Sequence, residues 1–148
     1  MSDSFVRWIP VDPSFVPSED ARGRAVAWLR ERAPNADEVW GALTPDIRFV
    51  DCGGNPERIS CPRCGVAIDH WWPGAMGRAA ETRFDKREVV VPCCGADTCL
   101  EDLRYEWPVG FARFVLEARN ARIDLSPSDD ESIARLLDAP VRRILAHL

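Results

Sequence analysis

Apolar and polar positions along this chain fall into short blocks that prolines and glycines divide. Residues 5–11 (FVRWIPV) read as a first strand, ended by Pro10 and Pro13. Ser18 stands where a helix N-cap belongs, with Glu19 and Asp20 in the turn where the helix dipole favours acids. Ala25, Val26, Leu29 and Ala33 then share one helical face, and Pro34-Asn35 closes the element. Trp28 and Trp40 are expected to pack near that helix. Residues 47–52 and 57–61 are two short apolar runs around Gly53-Gly54-Asn55-Pro56, the pattern of a β-hairpin. An alanine-rich stretch with spaced arginines predicts a helix starting at Pro73, within about residues 70–86, and residues 88–91 predict a compact strand.

Beyond this point residues 103–107 (LRYEW) alternate as a strand does, until Pro108 and Gly110. Phe111, Phe114, Val115 and Ala118 stand at i, i+3, i+4 and i+7, which predicts a helix over 111–118 capped at Asn120. Residues 122–125 suit a short strand. Ser128-Asp129-Asp130-Glu131 reads as a capping box before Ile133, Leu136 and Leu137, with Pro140 ending the helix. The tail, 141–148, fits helical spacing and a strand equally. These elements predict an α+β fold, a mainly antiparallel sheet packed by helices, in a single domain over 1–148.

The cysteines add chemistry to this outline. Cys61-Pro62-Arg63-Cys64-Gly65 sets two thiols three positions apart in a tight turn, and Pro92-Cys93-Cys94-Gly95 answers it downstream. Such a turn aims both sulfurs at one Zn²⁺, with glycine supplying the backbone conformation after the second ligand. Aligning the turns on Pro and Gly matches Cys64 with Cys94 and puts Val91 where Cys61 stands, leaving Cys93 as an extra thiol. The expected site is one structural Zn²⁺ held by Cys61, Cys64, Cys93 and Cys94, in a zinc-ribbon-like element over about 47–100 with the helix of about 70–86 inserted in it. Neighbouring side chains normally point apart, so Cys93 and Cys94 can share an ion only if the backbone kinks. Cys99 and His70 are the alternative fourth ligands. Cys52 reads as a core residue or a free thiol.

A closed four-thiolate site holds structure and does not activate water. Asp69-His70 beside it is the one place for a catalytic pair or a proton shuttle, set against an ordinary rim histidine. Vicinal Cys93-Cys94, with Cys99 nearby, also suits release of zinc on oxidation. Trp71-Trp72 offers either a packed pair over the ribbon or an exposed platform for a partner or a base. No glycine-rich phosphate loop, Gly-x-Ser-x-Gly elbow or His-Glu-x-x-His helix is present.

Composition narrows the partners. Nineteen basic residues, all but Lys86 arginines, face 24 acidic ones for a net charge of −5, which disfavours a general binder of the phosphate backbone. The arginine and alanine bias suggests a GC-rich bacterial genome. The polar Met1-Ser2-Asp3-Ser4 start resembles no signal peptide, no apolar run suits a membrane helix, and six cysteines in such a chain suit a reducing cytoplasm.

Together, the CPxCG and PCCG turns with Leu103-Arg104-Tyr105-Glu106-Trp107-Pro108 and Gly110-Phe111-Ala112-Arg113-Phe114 resemble small uncharacterised bacterial proteins with this cysteine set. The turns are also similar to zinc-ribbon knuckles in general, which occur in nucleic-acid-binding, ribosomal and protein-binding proteins alike. The expectation is a non-enzymatic, zinc-stabilised protein that binds another protein, as an immunity-type inhibitor or adaptor would. A nucleic-acid-associated ribbon and a metal-dependent enzyme around Asp69-His70 are the alternatives.

Overall fold

A computed structural model describes residues 3–53 and 58–147. Strand β1 (Ser4–Pro10) leads into helix α1 (Glu19–Arg32), whose N-cap Ser18 accepts a hydrogen bond from the Ala21 N–H as its sequence predicts. A long strand, β2 (Glu38–Val50), follows, and its partner β7 (Gly110–Arg119) returns beside it only after the residues between them have built a separate unit. Helix α3 (Pro127–Leu137) and strand β8 (Val141–His147) complete the chain.

Strands β1, β2, β7 and β8 form one antiparallel sheet in the order β2-β7-β1-β8. In chain order this is β-α-β-β-α-β, the split β-α-β connectivity of ferredoxin-like sheets. Each helix crosses over one intervening strand. Val6 and Trp8 of β1, Val39 of β2, and Phe114, Leu116 and Ala118 of β7 pack against Ala25 and Leu29 of α1 and Ile133 and Leu137 of α3. Trp8 lies fully inside, and its indole N–H donates to Asp130 at 2.7 Å, so the buried donor is satisfied.

The largest departure from the sequence reading is β7. Residues 111–118 form no helix; they are the second strand of the sheet, paired on both sides. Nearly every residue of β7 is buried, because α1 and α3 cover one face and further residues cover the other. A strand buried on both faces loses its alternation and reads as a continuous apolar run, within which an i, i+3, i+4, i+7 set arises by chance. Asn120 does end the element, with φ +52°, but at the end of a strand: its side-chain oxygen accepts from the Ser4 N–H.

Smaller corrections follow from the same topology. Residues 47–50 belong to β2 and pair with β7, and β3 (Ile59–Ser60) pairs with β6 (Arg104–Tyr105), so the expected hairpin of 47–52 with 57–61 does not form. Its turn, 54–57, lies outside the described residues. Residues 122–125 form no strand. The capping box sits two residues earlier than Ser128: Ser126 is the N-cap, Pro127 opens the helix, and Asp129 closes the box. The tail, which suited helix or strand, is β8 and pairs with β1 along its length.

Candidate metal centre

Between β2 and β7 the chain builds a second unit on its own core. Helix α2 (Trp72–Ala80) places Trp72, Ala75 and Ala79 against Ile59, Ile68, Val91, Leu100 and Leu103. Phe111 of β7 reaches into this cluster, touching Phe49 and Phe84 with ring centroids 5.4 Å away in each case, and so ties the unit to the sheet. The Trp72 indole N–H donates to the Tyr105 hydroxyl at 3.1 Å, and that hydroxyl donates to the Leu100 carbonyl at 2.6 Å. Burial pushes the Tyr105 phenol up to about 12, so it stays a neutral donor. Trp72 is therefore a packed residue, and Trp71 is half-buried beside it.

Two backbone turns stand out from this core, and they have the same construction. In the first, the Gly65 N–H donates to the Cys61 carbonyl at 3.0 Å and the Cys61 N–H to the Val66 carbonyl at 2.9 Å. In the second, the Gly95 N–H donates to the Val91 carbonyl at 3.1 Å and the Val91 N–H to the Ala96 carbonyl at 3.0 Å. Gly65 and Gly95 have φ of +79° and +71°, a region that side chains with a Cβ rarely adopt. The second turn links β4 (Glu88–Val90) to β5 (Asp97–Cys99). Val91 thus occupies the structural place of Cys61, and both are buried in the same apolar cluster.

The turns bring the sulfurs of Cys61, Cys64, Cys93 and Cys94 within 4.8 Å of one another, a group that can hold a metal ion. Cys61 Sγ lies 3.8 Å from Cys94 Sγ, and Cys64 Sγ lies 3.3 Å from Cys93 Sγ. Both separations are far from the roughly 2.05 Å of a disulfide. Cys93 reaches the group because, with Val91 turned into the core, the side chain two positions on projects from the tip of the turn. In the first turn that position is Arg63, whose backbone N–H donates to Cys61 Sγ at 3.3 Å.

The thiols are not alike. The Cys61 thiol is pulled down to about 6, first by the backbone N–H of Cys64 and against its burial, with the Arg63 N–H adding to the effect. Cys93 is pushed up to about 12, first by desolvation and then by hydrogen bonding among the neighbouring sulfurs. Four sulfurs this close cannot all carry charge without a cation among them, which is the electrostatic condition a metal ion satisfies.

Neither alternative fourth ligand joins the group. Cys99 lies half-buried at the end of β5, its thiol raised by desolvation and by the carboxylates of Glu101, Asp102 and Glu88. His70 is exposed. Asp69 accepts a hydrogen bond from the Ile59 N–H at 2.5 Å, so its carboxylate fixes the strand that leads into the first turn. Strand β5 and the 3-10 turn Leu100–Asp102 escaped the sequence reading, although Asp97-Thr98-Cys99 after a glycine turn carries a weak strand signal. Among the described residues no helix is long and apolar enough to cross a membrane. No protein-family model, curated protein or solved structure matches this chain.

Proposed function

We propose that the four thiolates hold one structural Zn²⁺, and that the unit it closes is a non-enzymatic docking element for another protein. Thiolates are soft ligands, and a tetrahedral set with Zn–S bonds of about 2.3 Å needs sulfurs about 3.8 Å apart. The Cys61–Cys94 separation of 3.8 Å meets this, and the Cys64–Cys93 pair at 3.3 Å opens by a small rotation of exposed side chains. Cys61, Cys64, Cys93 and Cys94 would fill all four positions, leaving none for water or substrate. The engagement of Asp69 Oδ1 by the Ile59 N–H supports the same reading, since it gives that carboxylate a backbone-holding role at β3.

The observation that carries the docking role is where charge and exposed apolar surface lie. The unit, residues 51–109, has ten acidic and seven basic residues, and zinc with four thiolates adds two further negative charges. Among the described residues, three of the six exposed large apolar side chains, Val66, Val90 and Trp107, belong to it. An acidic surface with scattered apolar anchors suits a basic protein partner, as an immunity-type inhibitor or adaptor would meet, and repels a phosphate backbone. The burial of Trp72 also removes half of the aromatic pair on which a base-stacking site would rest.

Metal analysis and X-ray absorption on protein purified without added metal test the site. One equivalent of zinc with four sulfurs is expected, whereas three sulfurs with a nitrogen or oxygen would bring His70 or water into the shell and reopen catalysis. For the partner, binding should weaken with salt and with Val90→Asp or Trp107→Ala. Salt-sensitive binding to single-stranded nucleic acid instead would replace this reading.

A further inference from the structure

Structural metal sites are usually shielded, and this one is not. Of its four thiols only Cys61 is buried; Cys64, Cys93 and Cys94 are exposed. Two of the exposed thiols, Cys64 and Cys93, one from each turn, hold their sulfurs 3.3 Å apart. Cys93 also stands out of register with the paired construction: it occupies the place of Arg63, while the place of Cys61 is filled by Val91. We propose that the site is a peroxide-sensitive switch in which a Cys64–Cys93 disulfide forms and the metal leaves, an inference that rests on the zinc reading above.

The steps balance with hydrogen peroxide as oxidant. An exposed thiolate, Cys64 or Cys93, attacks one peroxide oxygen; the O–O bond breaks, hydroxide leaves, and a sulfenic acid remains. The thiolate of the other cysteine attacks that sulfur, the S–S bond forms, the S–O bond breaks and a second hydroxide leaves. Two thiolates have lost two electrons to peroxide, and two protons from solvent turn both hydroxides into water. The ion is left with Cys61 and Cys94 alone and dissociates. A thiol reductant such as glutathione reverses the disulfide by exchange, and zinc rebinds.

Position selects this pair. Cys61 sits in the apolar cluster and its sulfur lies 3.8 Å from that of Cys94, so it is less accessible, and that pair is further from closure than Cys64 with Cys93. Cys99, on β5, lies outside the group. The effect of release would fall on the unit between β2 and β7, because Cys61 and Val91 both belong to its core. Helices α1 and α3 pack with the sheet in a separate cluster.

The test uses the zinc-loaded chain treated with hydrogen peroxide, with released zinc followed by a chromogenic chelator and disulfides mapped by mass spectrometry after blocking free thiols. One zinc should leave for each Cys64–Cys93 disulfide formed, and reductant with added zinc should restore the starting state. Cys99→Ser should release zinc as the parent does, while Cys93→Ser should lose the disulfide and slow the release. Zinc that stays bound while Cys99 is oxidised would overturn the switch. So would release accompanied by a Cys93–Cys94 disulfide or by sulfinic acids alone. Should Cys93→Ser fail to hold zinc, the mapping on the parent chain decides by itself. A chain that binds no zinc at all overturns the zinc reading and the switch together, whereas bound zinc that peroxide does not release overturns the switch alone.

Discussion

Moving one thiol by two residues, from Cys93 to position 91, should leave the proposed metal site intact. The two turns share their hydrogen bonds to within 0.1 Å (Gly65 N–H to Cys61 carbonyl 3.0 Å, Gly95 N–H to Val91 carbonyl 3.1 Å), so a cysteine at 91 would aim its sulfur as Cys61 does. Cys93→Ser alone removes one of four ligands, since a serine hydroxyl is neutral at pH 7 and coordinates poorly. Structural zinc sites bind with about 10–16 kcal/mol in apparent terms, so an even share per ligand is about 2.5–4 kcal/mol, or roughly two to three orders of magnitude in affinity. Adding Val91→Cys on that background returns the ligand and removes apolar bulk from a position that is 1% exposed, which costs about 1 kcal/mol. Restoration of the ligand exceeds the packing loss, so the double variant should bind zinc within about tenfold of the parent. Competition against a chromophoric chelator measures the affinity, and the cobalt-substituted spectrum reports whether four sulfurs are bound. A double variant that binds no more tightly than Cys93→Ser would refute the equivalence of Val91 with Cys61, and with it the account of why Cys93 joins the sulfur group.

Three further outcomes follow from the architecture. Stripping the metal with a chelator should expose the amides of β3, α2, β4 and β5 to hydrogen exchange, while those of α1, β7 and α3 stay protected, because the sheet and helices pack in their own cluster; simultaneous loss of both sets would contradict two separable cores. Leu29→Ala, at a fully buried position on α1, should lower the unfolding free energy by about 2–5 kcal/mol in denaturant titrations. Asp129 is held below the usual carboxylate range, first by the Arg32 side chain at 2.9 Å and also by the Ser126 N–H, so its contribution is present above the unfolded value and is lost as pH falls through the folded one. Asp129→Asn should therefore flatten part of the acid limb of the stability profile, and cost about 1 kcal/mol at pH 7 through the weakened helix cap.

How much of this fold could be read in the chain depended on how each element is buried. Helix α1 was legible because only one face of it packs: Ala21, Ala25 and Leu29 are buried with Val26 and Trp28 beside them, and seven of the other positions are arginines or acids. Strand β7 was not, because both of its faces are covered: eight of its ten positions are buried, Glu117 among them, so no clean alternation of apolar and polar residues marks it as a strand. Without β7 as a strand the sheet lacks its second member and β2 its partner, so residues 47–50 look locally like one arm of a hairpin. A short strand whose partner lies some sixty residues away has no local signature, and the contact between Phe49 and Phe111 is invisible until the topology is known.

The cysteine turns were legible for the opposite reason: their chemistry is local. A Pro and a Gly at fixed offsets set each turn's backbone, and the alignment that puts Val91 in the place of Cys61 needs only the sequence. Sequence favours Cys93 over Cys99 and His70 as fourth partner only through the kink that Pro92 and Gly95 imply, because the choice depends on where β5 runs after the second turn. The pairing of Glu88 with Cys99 carries Cys99 back along β4 and away from the tip, while Cys93 stays at the tip with Cys94. Val91 and Cys93 then form one device: the buried valine extends the apolar core at the position where the first turn spends a thiol, and the displaced thiol becomes an exposed one. The site so made keeps four sulfurs together and leaves three of them open to solvent, a poor arrangement for permanence and a suitable one for a metal that can be made to leave.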